Sequence, residues 1–164
     1  MAKYGYINTK GDFLVEPCFL KADAFNGDYA RADLTFRDAT SPDETGCSVD
    51  RNGKVTPIKD LYPFTSFSEG LAAVSERHGM AMKTGFVNAL GNVVIQRVFQ
   101  DSNNFDAGRV IISALKPGHE SGRTSNYEFV LMDSRGLELR RIGITGTFAS
   151  DWSDGLAVCR PEFQ

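Results

Sequence analysis

The sequence predicts an all-β protein of four tandem units of about 40 residues. Three observations carry that prediction. A turn signature with Asn or Asp three residues before Gly occurs four times, at Asn8/Gly11, Asp50/Gly53, Asn88/Gly91 and Asp133/Gly136. A second phrase follows each copy: "FNGDYARA" (25–32), "FSEGLAAV" (67–74), "FDAGRVII" (105–112) and "WSDGLAVC" (152–159). The two signatures keep step, with 14 residues from Gly to aromatic in three copies and 16 in the last. Asx positions recur at intervals of 42, 38 and 45 residues, within the range of tandem repeats.

Each element of a unit has a local reason. An Asx side chain accepts backbone amides at the start of a tight turn, and Gly at the fourth position takes a positive φ. Flanked by apolar runs such as "YGYI" and "DFLV", or "GFV" and "NVVI", the signature reads as a hairpin closed by a bulge at Gly11, Gly53, Gly91 and Gly136. About ten residues of turn or short helix are expected next, as in "PCFLKADAF" and "IKDLYPFTSF". An aromatic ends that segment: Phe25, Phe67, Phe105 or Trp152. Asp28, Gly70, Gly108 or Gly155 then breaks the chain into strand three, "YARADL", "LAAVS", "RVIIS" or "LAVC".

A three-stranded unit cannot bury its own apolar face, but stacked neighbours can. The four aromatics are therefore read as core plugs. The units span about 4–34, 46–75, 84–113 and 127–160 within one domain of 164 residues. They are expected in a curved array or a closed β structure. A four-bladed propeller is the alternative, although its blades have four strands and three are countable per unit.

"YGYINTKGDFLVEP" and "FSEGLAAV" resemble the two halves of the bacterial WG (KWG) repeat, whose pattern runs aromatic-Gly-x-Ile-Asp-x-x-Gly and then Phe-Ser-Glu-Gly-Leu-Ala. The resemblance covers nearly the whole chain. The Trp-Gly dipeptide is replaced by Tyr4-Gly5, Gly46-Cys47, Thr84-Gly85 and Glu128-Phe129. The family carries no general catalytic residues. The resemblance implies a β-rich interaction module of bacterial origin.

Composition narrows the function. The net charge of −3 gives no nucleic-acid footprint. No run approaches the ~18 apolar residues of a membrane span. Residues 1–82 hold 9 Lys/Arg against 12 Asp/Glu, and the rest holds 9 of each. The excess acid centres on 23–44, which reads as a solvated cap or a surface steering a basic partner. Cys18, Cys47 and Cys159 are far apart without a CxxC, as for free thiols in the cytoplasm.

Chemistry is hard to find. His78 and His119 lack acids or thiols at ligand spacing, so no metal site is expected, and no cofactor motif occurs. Glu69, Asp106 and Asp154 are read as exposed turn acids. No enzymatic activity is expected. The segments joining strand three to the next strand one are unequal: 35–46, 75–84 and 114–127. Such variable connectors commonly mark a binding face. They supply the candidate binding residues Arg37, Asp38, Asp43, Glu44, Glu76, Arg77, His78, Lys116, His119 and Arg123. The expected function is a non-enzymatic protein-interaction module, in its sharper form an immunity or inhibitor protein capping a toxin or enzyme. The alternative is a carbohydrate or cell-wall binder, which needs Tyr4, Tyr29, Tyr62 or Trp152 exposed to stack on sugars.

Overall fold

The computed structural model describes residues 3–34, 46–58, 61–78, 81–120, 123, 126–144, 146–148, 156 and 158–161. All regular elements among them are strands, apart from residue 126, which lies in a tight helical turn. The strands are β1 (Tyr4–Ile7), β2 (Phe13–Phe19), β3 (Lys21–Ala22), β4 (Tyr29–Asp33), β5 (Gly46–Asp50), β6 (Val55–Pro57), β7 (Tyr62–Pro63) and β8 (Leu71–His78). They continue as β9 (Ala81–Asn88), β10 (Val93–Phe99), β11 (Asp101–Ser102), β12 (Arg109–Leu115), β13 (Tyr127–Asp133), β14 (Glu138–Arg141), β15 (Gly146–Phe148) and β16 (Cys159–Pro161).

These strands form three four-stranded antiparallel meanders, β3-β4-β5-β6, β7-β8-β9-β10 and β11-β12-β13-β14. Two-stranded sheets, β1-β2 and β15-β16, accompany them. None of the sheets is closed. Each meander straddles the sequence repeat. It joins strand three of one copy to strands one and two of the next, because strand three pairs across the connector rather than back onto its own hairpin.

Four hairpin turns have one geometry. Asn8 Oδ1 accepts the amides of Lys10 and Asp12 at 2.9 and 3.0 Å. Asp50 does the same for Asn52 and Lys54, Asn88 for Leu90 and Asn92, and Asp133 for Arg135 and Leu137. The Gly amide returns to the Asx carbonyl at 2.9–3.1 Å in every turn. The glycines stand at φ 89, 80, 81 and 85, where only glycine is unstrained.

The sequence expectation misplaced several local features. The stretch expected to be turn or short helix before each aromatic contains a strand of two residues, β3, β7 or β11, which is the fourth strand of its sheet. Two residues are too few to show an alternating pattern. In the first copy Asp28 ends the tight turn and β4 begins at Tyr29, but the positive φ is at Gly27, 64°, in the place that Glu69 (52°) and Ala107 (50°) hold in the next two. The segment 75–84, expected as a connector loop, is largely paired strand, with Glu76 opposite Lys83, Arg77 opposite Met82 and His78 opposite Ala81.

Among the described residues three apolar clusters form the core, each drawing on two sheets consecutive in the chain. Phe19, Ala32, Cys47 and Val49 centre the first, with Tyr6 and Phe25 against them. Ile58, Phe67, Val74 and Val87 centre the second, with Tyr29 packed on them. Phe86, Ile95, Phe105, Ile112 and Val130 belong to the third. The Phe86 and Phe105 rings meet edge to face at 4.8 Å, a favoured aromatic geometry. Phe25, Phe67 and Phe105 thus each stand at a seam between sheets. Trp152 lies outside the described residues.

Candidate interaction surface

Register divides each meander into two unlike ends. Tyr29 lies opposite Asp50, Leu71 opposite Asn88 and Arg109 opposite Asp133. The start of strand three therefore shares an end with the Asx turn. The short turns 26–29, 68–71 and 106–109 close beside it. The other end finishes at Asp33 opposite Gly46, His78 opposite Ala81 and Leu115 opposite Tyr127. All three unequal connectors leave from that end.

The turn end is bonded from one sheet to the next. The Glu69 carboxylate accepts the Gly108 amide at 3.0 and 2.9 Å, and Ser68 Oγ donates to the Phe105 carbonyl at 2.6 Å. Ser48 Oγ donates to the Ala89 carbonyl at 2.6 Å. Arg51 donates from Nε to the Gly27 carbonyl at 2.9 Å and lies 4.8 Å over the Phe25 ring. A Cβ on Gly53 would stand 2.6 Å from the Leu14 carbonyl oxygen, so the second hairpin seats directly on β2.

At the connector end, Lys116, His119 and Arg123 share one loop between β12 and β13. The Lys116 amide donates to the Asn126 carbonyl at 2.8 Å, and the Asn126 amide to the Arg123 carbonyl at 3.0 Å. Asn126 Nδ2 donates to the Glu120 carbonyl at 2.8 Å, closing the loop on itself. His119 is exposed, its Nδ1 lying 3.2 Å from the Pro117 carbonyl. Glu76, Arg77 and His78 sit at the tip of the β8–β9 hairpin, separate in the chain from the His119 loop. Arg37, Asp38, Asp43 and Glu44 lie outside the described residues.

Part of the acidic stretch turns inward. Arg31, although buried, donates from Nε to Asp23 Oδ2 at 3.0 Å and from Nη1 to the Pro63 carbonyl at 2.7 Å. Ser66 Oγ donates to the same Asp23 oxygen at 2.9 Å. Asp33 is buried too. Of the acids assigned by sequence to a solvated or steering surface, Asp33 thus belongs to the interior and Asp23 is half-buried against Arg31. Sequence reasoning missed this network, yet a signal was present: Arg31 occupies the strand position held by Ala73 and Ile111 in the following copies. Tyr6 Oη donates to the Asp23 carbonyl at 2.9 Å, and burial, aided by the Asp23 charge, pushes the Tyr6 phenol up to about 12.

A second ion network joins β13 and β14. Arg141 donates from Nη1 to Glu128 Oε1 at 2.8 Å, and from Nη2 and Nε to the two oxygens of Glu138 at 2.7 and 3.0 Å. Those hydrogen bonds, first to Glu128 and then to Glu138, raise the Arg141 pKa. Among the described residues no group of three His, Cys, Asp or Glu side chains is placed to hold a metal ion. No described helix is long and apolar enough to cross a membrane.

The model of the WG-containing repeat matches residues 4–34 and 85–113. Neither a curated protein nor a solved structure matches the chain. Both matched segments run from a strand-one hairpin through the aromatic turn into strand three, the parts whose hydrogen bonds recur along the chain. These two segments of the chain are WG-containing repeats by that match.

Proposed function

We propose that the chain is a non-enzymatic protein-interaction module, a tandem array of four repeats that binds its partner through the connector end. The carrying observation is the contrast between the two ends of the sheets. The turn end is uniform and bonded across the seams, whereas the connector end carries segments of unequal length with mixed charge. A scaffold of fixed geometry that displays variable segments on one side suits recognition of another protein. The acids at 38, 43 and 44 favour a basic partner in the cytoplasm, and capping of an enzyme or toxin is the sharper form of the reading.

Of the aromatics that sugar stacking needs, Tyr4 is exposed, whereas Tyr29 is half-buried with its ring 6.1 Å from that of Phe67. That contrast favours a protein partner over a carbohydrate. The test compares the tagged chain with two charge-reversed forms, one carrying Asp38→Lys, Asp43→Lys and Glu44→Lys, the other Lys116→Glu and Arg123→Glu. Reversal should abolish recovery of the partner that the unaltered chain retains, with the unfolding midpoint unchanged. Undiminished recovery by both forms would refute the connector end as the binding face.

A further inference from the structure

One guanidinium holds both stems of the connector between β12 and β13. That connector, 114–127, is the longest of the three. Sheet pairing ends there at Leu115 opposite Tyr127. Arg141 Nη1 donates to the Leu115 carbonyl at 3.3 Å on the outgoing stem and to Glu128 Oε1 at 2.8 Å on the returning one. Its Nε and Nη2 hold Glu138, on the same strand, at 3.0 and 2.7 Å. Glu128 is buried, so its carboxylate relies on this cation rather than on water. A planar guanidinium can serve all three acceptors at once because its five donors point in fixed directions.

The clamp is peculiar to this connector. Glu128 and Arg141 stand five residues before and eight residues after Asp133, and the same positions around Asn88 hold Lys83 and Gln96. Around Asn8 they hold Lys3 and Glu16. A longer loop costs more entropy to close, so the longest connector gains most from fixed ends. Backbone bonds continue the order from the stems outward. The Lys116 amide donates to the Asn126 carbonyl at 2.8 Å, the His119 amide to the Lys116 carbonyl at 3.1 Å and the Asn126 amide to the Arg123 carbonyl at 3.0 Å. His119 and Arg123 are exposed beyond them.

We infer that Arg141 is a positioning residue of the interaction surface: by clamping Leu115 and Glu128 it presets Lys116, His119 and Arg123 for the partner. This rests on the connector-end reading and deepens it, since it names the group that makes one connector ready to bind. A connector ordered before the encounter avoids the entropy loss of ordering its side chains and backbone on binding. Arg141 acts through the connector, with its own charge engaged by Glu128 and Glu138.

Amide hydrogen exchange on the full chain tests this with Arg141→Ala, alongside a double variant, Glu128→Leu with Arg141→Met. The double variant removes the clamp without leaving a buried carboxylate unpaired, so it folds even where the single variant does not. In both, the Lys116, His119 and Asn126 amides should exchange at least roughly tenfold faster, while Val110 and Met132 at the far end of the same sheet keep their rates. Both should also retain less of the partner that the unaltered chain retains. Unchanged exchange at the three connector amides would overturn the proposal, as would acceleration shared equally by Val110 and Met132, which marks a merely structural role. Full retention by the clamp variants overturns it too where Lys116→Glu with Arg123→Glu has lost the partner. Full retention by that charge-reversed form as well brings down the connector-end reading along with it.

Discussion

Glu69 holds Gly108 across a seam: both carboxylate oxygens of one tight turn lie 2.9–3.0 Å from the backbone amide of the next. Glu69 does this from a left-handed backbone conformation, φ 52, that a non-glycine residue adopts only at a cost. The contact and the strain therefore oppose each other. Glu69→Ala should lower stability by about 1 kcal/mol, because it loses the charged acceptor and keeps the strain. Glu69→Gly should fall by less, because it relieves the strain. Chemical denaturation of both variants checks the order, and a Gly variant less stable than the Ala variant would contradict it.

Gly11 and Gly53 occupy the same turn position with similar φ, 89 and 80, but in different surroundings. A Cβ at Gly11 meets nothing within 4 Å, whereas one at Gly53 stands 2.6 Å from the Leu14 carbonyl oxygen. Gly11→Ala should therefore cost about 1 kcal/mol of backbone strain alone. Gly53→Ala should cost measurably more, since the seam between hairpin and β2 must open as well. Equal unfolding midpoints for the two variants would mean that the seam yields freely.

Phe67→Ala should cost roughly 3–5 kcal/mol, the range for a fully buried aromatic. Phe25→Ala should cost less, since Phe25 is only half-buried, with one face under Arg51. Thermal unfolding of the pair gives the ranking directly.

The Asp133 carboxyl is held below the usual carboxylate range, first by the Leu137 amide and then by Arg135. A depressed folded pKa contributes stability that is present above the unfolded value of about 3.9 and lost as pH falls through the folded value. Asn8 and Asn88 accept the equivalent amides without titrating. Asp133→Asn should thus retain the turn but flatten the decline of the unfolding temperature below about pH 4. An acid profile identical to that of the unaltered chain would show that this carboxylate contributes nothing to acid stability.

Burial, with the Asp33 charge second, pushes the Cys47 thiol up to about 12, and its Sγ donates to the Ala32 carbonyl at 3.2 Å. A folded pKa raised above the ordinary thiol value leaves stability intact below about pH 9 and erodes it from there toward 12. At pH 8 the folded Cys47 should resist a disulfide reagent. The chain and Cys47→Ala should therefore show equal numbers of reactive thiols when folded, and differ by one in denaturant.

The chain determined by itself whatever rests on a few adjacent residues. The Asx–Gly turns and the all-β class follow from short-range hydrogen bonding and from what φ each residue type tolerates. Tertiary structure decided the pairing of strands. Strand three joins the next copy across connectors of unequal length, and no local pattern encodes that register. It also recruited Lys21–Ala22, Tyr62–Pro63 and Asp101–Ser102 as edge strands, pairs too short to show alternation. The candidate surface was legible only as unequal connector lengths. Their common origin at one end of the sheets required the register of strand three on strand one. Asp23 and Arg31 illustrate the same limit: in sequence they are surface-type charges eight residues apart. Folding brings Pro63 and Ser66 against them from another sheet, and a buried charge pair is tolerated only where such partners meet its remaining hydrogen bonds.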